Sequence, residues 1–461
     1  MKILAKLVFV GLCAFVLLQL VRPGISAGPS TAEIQAPLQV RQILRKDCYA
    51  CHSDERRLAW FDEVVPAYWL VRHDIVRARK HLDFSTLGSK PAAVQKATLF
   101  EAVNMIQLGA MPLPQFVALH PDAKVTPREL ATLKAYLAPW TLPSIQGSPA
   151  RQNGKAKTSP STVAAEVSAP MDLAAVRQEF NGLAFESGFE SWKPISFTDR
   201  GDNNTFRFIL GNDVAVQAAQ TGNIFPWPDG ARFAKIAWQQ EPGTDGLIYP
   251  GKFVQVELMV KDAGRYKRTD GWGWGRWRGM DLKPYGSNGH FASECTSCHE
   301  PVRGDDFVYT LPISQAHVTR PEAVNTRAAA FPLGLPYQPL EWGAITMFVD
   351  PASRSMATVY GNAVAMHGVR ARGTAFAQRP AYAPGAVLAL VTWAQREDPH
   401  WFGGRISDTP RSIEFVVTGA EGKDSSYRCF EGPKLLEVTS SPEIAARRSK
   451  FILGLHPAAL P

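Results

Sequence analysis

Two stretches of this chain share one spacing of reactive residues, Cys48-Tyr-Ala-Cys51-His52 and Cys295-Thr-Ser-Cys298-His299. In Cys-x-x-Cys-His, two thiols can reach the two vinyl groups of one porphyrin while the adjacent imidazole falls beneath its iron. A single copy is also compatible with a disulfide, half of a zinc site or chance. Two copies behind an export signal point to two covalently attached c-type haems, with His52 and His299 as iron ligands. A soft sixth ligand for the first haem is available in Gly109-Ala-Met111-Pro-Leu-Pro114, where prolines would hold the Met111 thioether against the iron. His81 is its rival, while His73 and His120 read as surface or capping histidines.

The export signal is the basic start Met1 to Lys6, the apolar run Leu7 to Val21 broken only by Gln19, and the small residues Gly24, Ser26, Ala27 and Gly28. Ile25 is a poor residue three before a cut after Ala27, and Ile3 to Val21 almost spans a bilayer, so residues 1–27 read as a signal or, preferably, an uncleaved anchor. The expected compartment is the periplasm. Of six cysteines, Cys13 lies in the apolar run, four serve haem and only Cys429 is left, which argues against a disulfide-built fold. A net charge of +8 is scattered rather than clustered, which fits a basic surface that docks acidic redox partners and not nucleic acid.

Residues 31–140 carry helical periodicity: Ala67, Leu70, Val71, Ile75, Ala78 and Leu82 form one stripe, Ala92 to Leu108 another, and Thr126-Pro-Arg-Glu129 is a capping box opening a last helix. Residues 141–172, rich in Pro, Ser, Gly, Ala, Thr and Lys, read as a flexible linker that lets the first haem move toward the second domain. Beyond it the pattern turns to strands at Thr205 to Leu210, Ala231 to Trp238 and Phe253 to Val260, with a short helix from Asn212 to Gln220. In the last strand Val254, Val256 and Leu258 face a core, leaving Gln255, Glu257 and Met259 outward. From pattern alone, Glu257 and Lys235 read as solvent-facing charges on a sheet.

Two family likenesses sharpen this. Around the first Cys-x-x-Cys-His, Val65-Pro-Ala-Tyr-Trp-Leu70, Arg79-Lys-His-Leu-Asp-Phe-Ser85, Gly109-Ala-Met-Pro112 and His120-Pro-Asp-Ala-Lys124 resemble the bacterial haem-binding domain family, single-haem modules of the cytochrome c type. Over residues 181–313, Asn204-Thr-Phe-Arg-Phe-Ile-Leu-Gly-Asn-Asp-Val-Ala215, Trp227-Pro-Asp-Gly230, Phe233-Ala-Lys-Ile-Ala-Trp238, Val256-Glu-Leu-Met-Val-Lys-Asp262 and Gly271-Trp-Gly-Trp-Gly-Arg-Trp277 resemble the cytochrome P-460 family and the beta-type cytochromes c′. The second resemblance implies a largely β fold with one c-type haem open on one face. Some relatives oxidise hydroxylamine with a lysine bonded to a haem meso carbon; others bind nitric oxide. By position, Lys235 matches that lysine, Glu257 the distal carboxylate and Arg207 a basic residue of the haem pocket. Trp272, Trp274 and Trp277 read either as a cap on the open face or as structural aromatics.

The last third, about 331–461, has no Cys-x-x-Cys-His but repeats three blocks in order: Val359-Tyr-Gly-Asn-Ala-Val-Ala365, Pro384-Gly-Ala-Val-Leu-Ala-Leu-Val-Thr-Trp393 and Ile413-Glu-Phe-Val-Val417. Leu390 stands where Lys235 does, Ala357 where Arg207 does, and Glu414 survives as a structural residue. The expected architecture is therefore multidomain: an all-α cytochrome c-like domain, then two mainly-β P-460-like domains at 173–330 and 331–461, the second without haem and packed on the first as a pseudo-dimer. Two functions fit, a dihaem oxidoreductase for hydroxylamine or a related small nitrogen compound, and a nitric oxide-binding or electron-transfer cytochrome.

Overall fold

Most of the helical periodicity becomes helix. The computed structural model describes residues 2–141, 172–370, 382–419 and 425–461 and divides into two units, 1–139 and 140–461. The expected linker lies almost wholly outside the described residues. In the N-terminal unit the helices are α1 (Lys2–Leu18), α2 (Leu38–Asp47), α3 (Tyr49–His52), α4 (Ala67–His81), α5 (Ala92–Gln107), α6 (Pro114–Leu119) and α7 (Pro127–Leu137). α2 buries Val40, Ile43 and Leu44 at helical spacing, and its last turn carries Arg45 and Lys46 against the negative end of the helix dipole. The capping box forms as read: Thr126 accepts from the Glu129 amide, Glu129 returns to the Thr126 amide, and Pro127 occupies the first turn. α7 then buries Leu133 and Leu137. Gly88 is required by space, since a Cβ there would lie 2.3 Å from the Glu33 carbonyl oxygen.

The second unit is built on a sheet that closes on itself. Its elements are β1 (Lys193–Arg200), β2 (Thr205–Gly211), α8 (Asp213–Thr221), β3 (Arg232–Pro242), β4 (Ile248–Lys261), β5 (Trp272–Arg278), β6 (Lys283–Pro284) and α9 (Phe291–His299). Next come β7 (Gly343–Asp350), β8 (Ser355–Gly361), α10 (Ala363–Arg370), β9 (Val387–Asp398), β10 (Trp401–Val417), β11 (Ser426–Glu431), β12 (Leu436–Val438) and α11 (Pro442–Gly454). The strand order is β1-β2-β3-β4-β7-β8-β9-β10, and β10 pairs back with β1 to complete a barrel. Residues 173–461 are therefore one unit sharing one sheet and one interior, where two separate domains were expected. Phe197, Phe208, Trp238, Val256 and Leu258 of the first half pack there with Met356, Tyr360, Trp393, Ile413 and Phe415 of the second.

The two halves of the barrel repeat one element order, strand–strand–helix–strand–strand. The ladder between β1 and β2 and the one between β7 and β8 agree to the residue, including a bulge, with every partner number raised by 150 (193 to 343, 211 to 361). Asn212 and Asn362 cap their helices alike, each accepting from the amide three residues on and donating to a glycine carbonyl, Gly230 or Gly385. The indole N–H of Trp238 donates to Ala459 in the other half, and that of Trp393 donates back to Ala328. At the seam the buried Asp199 accepts from Gln240 at 2.6 Å and Gln395 at 3.0 Å, one from each half. One strand detail differs from expectation. Phe253, not Val254, enters the interior, because a register shift beside Trp238 pairs Trp238 with Phe253.

Candidate haem sites

The second Cys-x-x-Cys-His occupies the C-terminal half of α9. His299 Nδ1 lies 2.7 Å from the Phe307 carbonyl oxygen. A carbonyl only accepts, so Nδ1 carries the proton and Nε2 keeps its lone pair for a metal. Burial pushes the imidazole down to about 4, which keeps it neutral. The ring is wedged between Trp274, at 4.6 Å between centroids, and Tyr309, at 5.1 Å, whose hydroxyl donates to the Cys298 carbonyl at 2.7 Å.

The carbonyl that holds His299 is itself held. Asp306 and Phe307 both adopt left-handed backbone, φ 50° and 65°, an unfavourable state for a phenylalanine. Asp306 is pinned by the Lys261 ammonium, 2.8 Å from each carboxylate oxygen, and by the Trp227 amide at 2.9 Å. Lys261 is 6 % exposed and lies over the Trp272 ring, so both members of the pair sit where water competes weakly. A cleft of about 310 Å³ borders Lys261 and is lined by Glu186, Asp229, Arg232 and Arg265; it contains neither His299 nor Glu257.

Facing outward from the barrel, one row of the ladder runs Ile209, Lys235, Glu257 and Arg276 across β2 to β5. Register thus brings Lys235 and Glu257 together, and they form an ion pair. Arg276 Nε lies 2.7 Å from the other Glu257 oxygen, which also accepts from the Gln255 amide at 2.7 Å. Burial lowers the Lys235 ammonium to about 8 despite its partner. Burial pushes the Glu257 carboxyl up, but Lys235, Arg276 and Arg207 outweigh it and hold it at about 2. Arg207, two residues before Ile209 on β2, is lowered to about 10 by burial and by Arg200, and its Nε has no partner. The charges of Lys235, Glu257 and Arg276 act on both Cys295 and His299, so strand row and attachment helix form one site.

Three cations around one carboxylate, buried donors on Arg207 and Trp274 without partners, and an imidazole with Nε2 free together suit an anionic porphyrin. Arg276, Gln255 and Tyr309 belong to this site and were not anticipated. Of the tryptophans, Trp272 and Trp277 are fully buried and Trp274 packs on His299, so none is a cap on the opposite, open face.

In the N-terminal unit Cys48 precedes α3, which carries Cys51 and His52. His52 Nδ1 is 3.0 Å from the Leu82 carbonyl, the same arrangement as at His299, and burial again lowers the imidazole. Met111 is half-buried after α5, its amide bonded to the Met105 carbonyl at 3.1 Å. His81 is exposed and precedes Leu82, the residue that holds His52. His120 is engaged at both nitrogens, with the Phe116 carbonyl at 3.1 Å and Asp62 at 3.0 Å, and His73 is exposed beside Asp74.

Two family models match the chain. Residues 10–139 match the family model for a haem-binding domain, and residues 186–310 match that for cytochrome P460. A search of curated proteins found no match. The chain thus carries a helical region matching the haem-binding domain family, followed by a region matching cytochrome P460 within a β-barrel.

Proposed function

We propose that this is an exported, two-haem c-type cytochrome whose P460 domain oxidises hydroxylamine or a related small nitrogen compound and hands the electrons to the haem-binding domain. The observation that carries the reading is the Lys235–Glu257–Arg276 row beside the attachment helix. Cys48 and Cys51 would hold one haem, with His52 and Met111 as ligands; Cys295 and Cys298 would hold the other over His299. When bound, the second haem supplies an open iron position and accepts electrons.

The chain's own residues account for the protons. Electrons taken from hydroxylamine leave with N–H and O–H protons, so a base must stand near the substrate. Glu257 is our candidate. Held at about 2 it is a weak base, but loss of the Lys235 charge would remove its nearest cation and raise its basicity, as would follow if that nitrogen replaced the hydrogen on a haem carbon, with two electrons passing to a peroxide oxidant and two protons released. Lys235 suits such bonding, since an amine at about 8 is roughly one-tenth neutral at pH 7 and only the neutral form has a lone pair. Arg207 and Arg276 remain as donors toward a substrate oxygen.

The direct Lys235–Glu257 ion pair favours a second reading, in which the lysine stays a counterion and the open iron binds nitric oxide without turnover. We further read the second half of the barrel as a haem-less copy that stands in for a partner subunit. Steady-state oxidation of hydroxylamine with an added electron acceptor tests the first reading. Sustained acceptor reduction supports it; stoichiometric nitric oxide binding without turnover replaces it with the second.

A further inference from the structure

The stretch between α1 and α2 is bound along α4 by a set of side chains from that helix. The Trp69 indole donates to the Val21 carbonyl at 2.7 Å, the Tyr68 hydroxyl to Pro23 at 2.6 Å, Arg72 to Gly24 at 3.1 Å and Arg79 to Ser26. Tyr68, Arg72 and Arg79 lie on one stripe of α4 around the buried Ile75. Arg22 pairs with Glu63 and lies over the Tyr68 ring at 4.5 Å. Upstream, the Gln19 amide donates to the Val65 carbonyl at 3.1 Å and accepts from the Val65 N–H at 2.9 Å; Val65 is fully buried. Downstream, the Gly28 amide donates to Asp54.

A cut after Ala27 would remove the strap's partners of Tyr68, Trp69, Arg72 and Val65 and one partner each of Arg79 and Glu63. It would also orphan both backbone groups of buried Val65. The match to the haem-binding domain family begins at residue 10 and runs through this stretch, so the strap lies within the domain.

Beyond Lys6, α1 is apolar on every side and exposed, from Leu7 at 64 % to Leu18 at 39 %, so it is not an amphipathic surface helix. Among the described residues no regular helix is long and apolar enough to cross a membrane, and α1 has only 17 residues. Its hydrogen bonding, however, continues as a tightened spiral, Leu20 to Leu17 and Val21 to Leu18. From Ile3 to Leu18, before Gln19 bonds into the folded domain, the helix measures about 24 Å at about 1.5 Å per residue, against a hydrocarbon core of about 30 Å, a shortfall that local thinning of the bilayer accommodates. Lys2 and Lys6 both lie in the first turns of α1, at the far end, where long cationic side chains reach the interface, and Gln19 ends the apolar run by bonding into the folded domain.

We infer that residues 2–28 are retained in the mature protein, with α1 spanning a lipid bilayer and residues 19–28 strapping the haem-binding domain directly to its surface. The haem of that domain then works at the membrane, where its electron acceptor is a membrane-bound or membrane-associated redox protein. The test uses the full chain made in a bacterium that matures c-type cytochromes. Intact-mass analysis is expected to give the chain with residues 2–28 still present, and alkaline carbonate is expected to leave the protein in the membrane pellet. A mature chain starting at or near Gly28, or release by carbonate, overturns the inference. With the haem spectrum as a check on folding, Gln19→Ala is expected to raise protease clipping within 19–28 by roughly several-fold, because two of the strap's bonds are lost. Clipping at the wild-type rate would also count against the strap.

Discussion

The two halves of the barrel carry the same carboxylate at the same place in the ladder and neutralise it differently. In the first half Glu257 stands between Lys235 and Arg276 on neighbouring strands. In the second half Glu414 stands between Leu390 and Cys429. Its cation comes from a helix instead: Arg448 of α11 reaches both Glu414 oxygens at 2.7 Å, and the Tyr427 hydroxyl adds a third bond. In chain order α11 corresponds to α9, the helix that in the first half carries two cysteines and a histidine. When the strands supply the cations, the helix is free to present haem-attaching residues. When the helix supplies the cation, its side chain covers the carboxylate and closes the site. The barrel thus places a carboxylate at the same ladder position in each half, and the residues facing it decide whether strands or a helix neutralise it.

The greatest change is expected in haem content. His299→Ala is expected to lower bound haem from two per chain to one, read by the pyridine haemochromogen absorbance, whereas Cys429→Ser in the second half leaves it unchanged. Loss of haem in the second variant would end the contrast between the halves.

Next comes turnover. Glu257→Gln is expected to lower kcat for hydroxylamine by about 10²- to 10⁴-fold, the usual contribution of a general base. Glu414→Gln is expected to leave kcat unchanged.

Giving the first half the second half's residue, Lys235→Leu, is expected to keep the haem while removing any bond from chain position 235 to it. The wild-type bond should form faster as pH rises, because the neutral fraction of an amine at about 8 grows from about one-tenth at pH 7 to about nine-tenths at pH 9. Following the spectrum of freshly attached haem at the two pH values checks the sign.

For stability, Arg448→Ala strands Glu414, whose side chain is 6 % exposed. Breaking a buried pair costs about 3–5 kcal/mol; the remaining Tyr427 bond brings the expected loss to about 2–4 kcal/mol in urea melts. The mildest change is electronic. Asp306→Asn loosens the loop that presents the Phe307 carbonyl, so His299 becomes a weaker donor to iron and the reduction potential of that haem rises. An unchanged potential with an unchanged iron–histidine vibration would show that the Lys261–Asp306 pair only packs the loop.

Legibility in the sequence tracks the range of the interaction. The Thr126 capping box is a local pattern and forms where expected, and the short helix read from Asn212 forms at Asp213–Thr221 with Asn212 as its cap. Lys235 and Glu257 stood out as candidates through family likeness, while their pairing depends on the register of β3 on β4. Arg276 was missed because it joins them only through the β4–β5 ladder. Closure of the barrel rests on Thr198 meeting Ile406 some two hundred positions away, and no periodicity announces that. The left-handed turn at Phe307 has no glycine to signal it, since its support comes from Lys261 and Trp227 elsewhere in the chain. Val254 was misassigned to the interior because a bulge resets the alternation just before it.

The decisive measurement is the chemical state of Lys235 in the mature protein. Digestion followed by mass spectrometry should yield a peptide containing Lys235 joined to the haem that Cys295 and Cys298 hold. Recovery of Lys235 as a free lysine, with the haem joined to the two cysteines alone, would contradict the hydroxylamine-oxidising reading and leave a gas-binding or electron-transfer cytochrome.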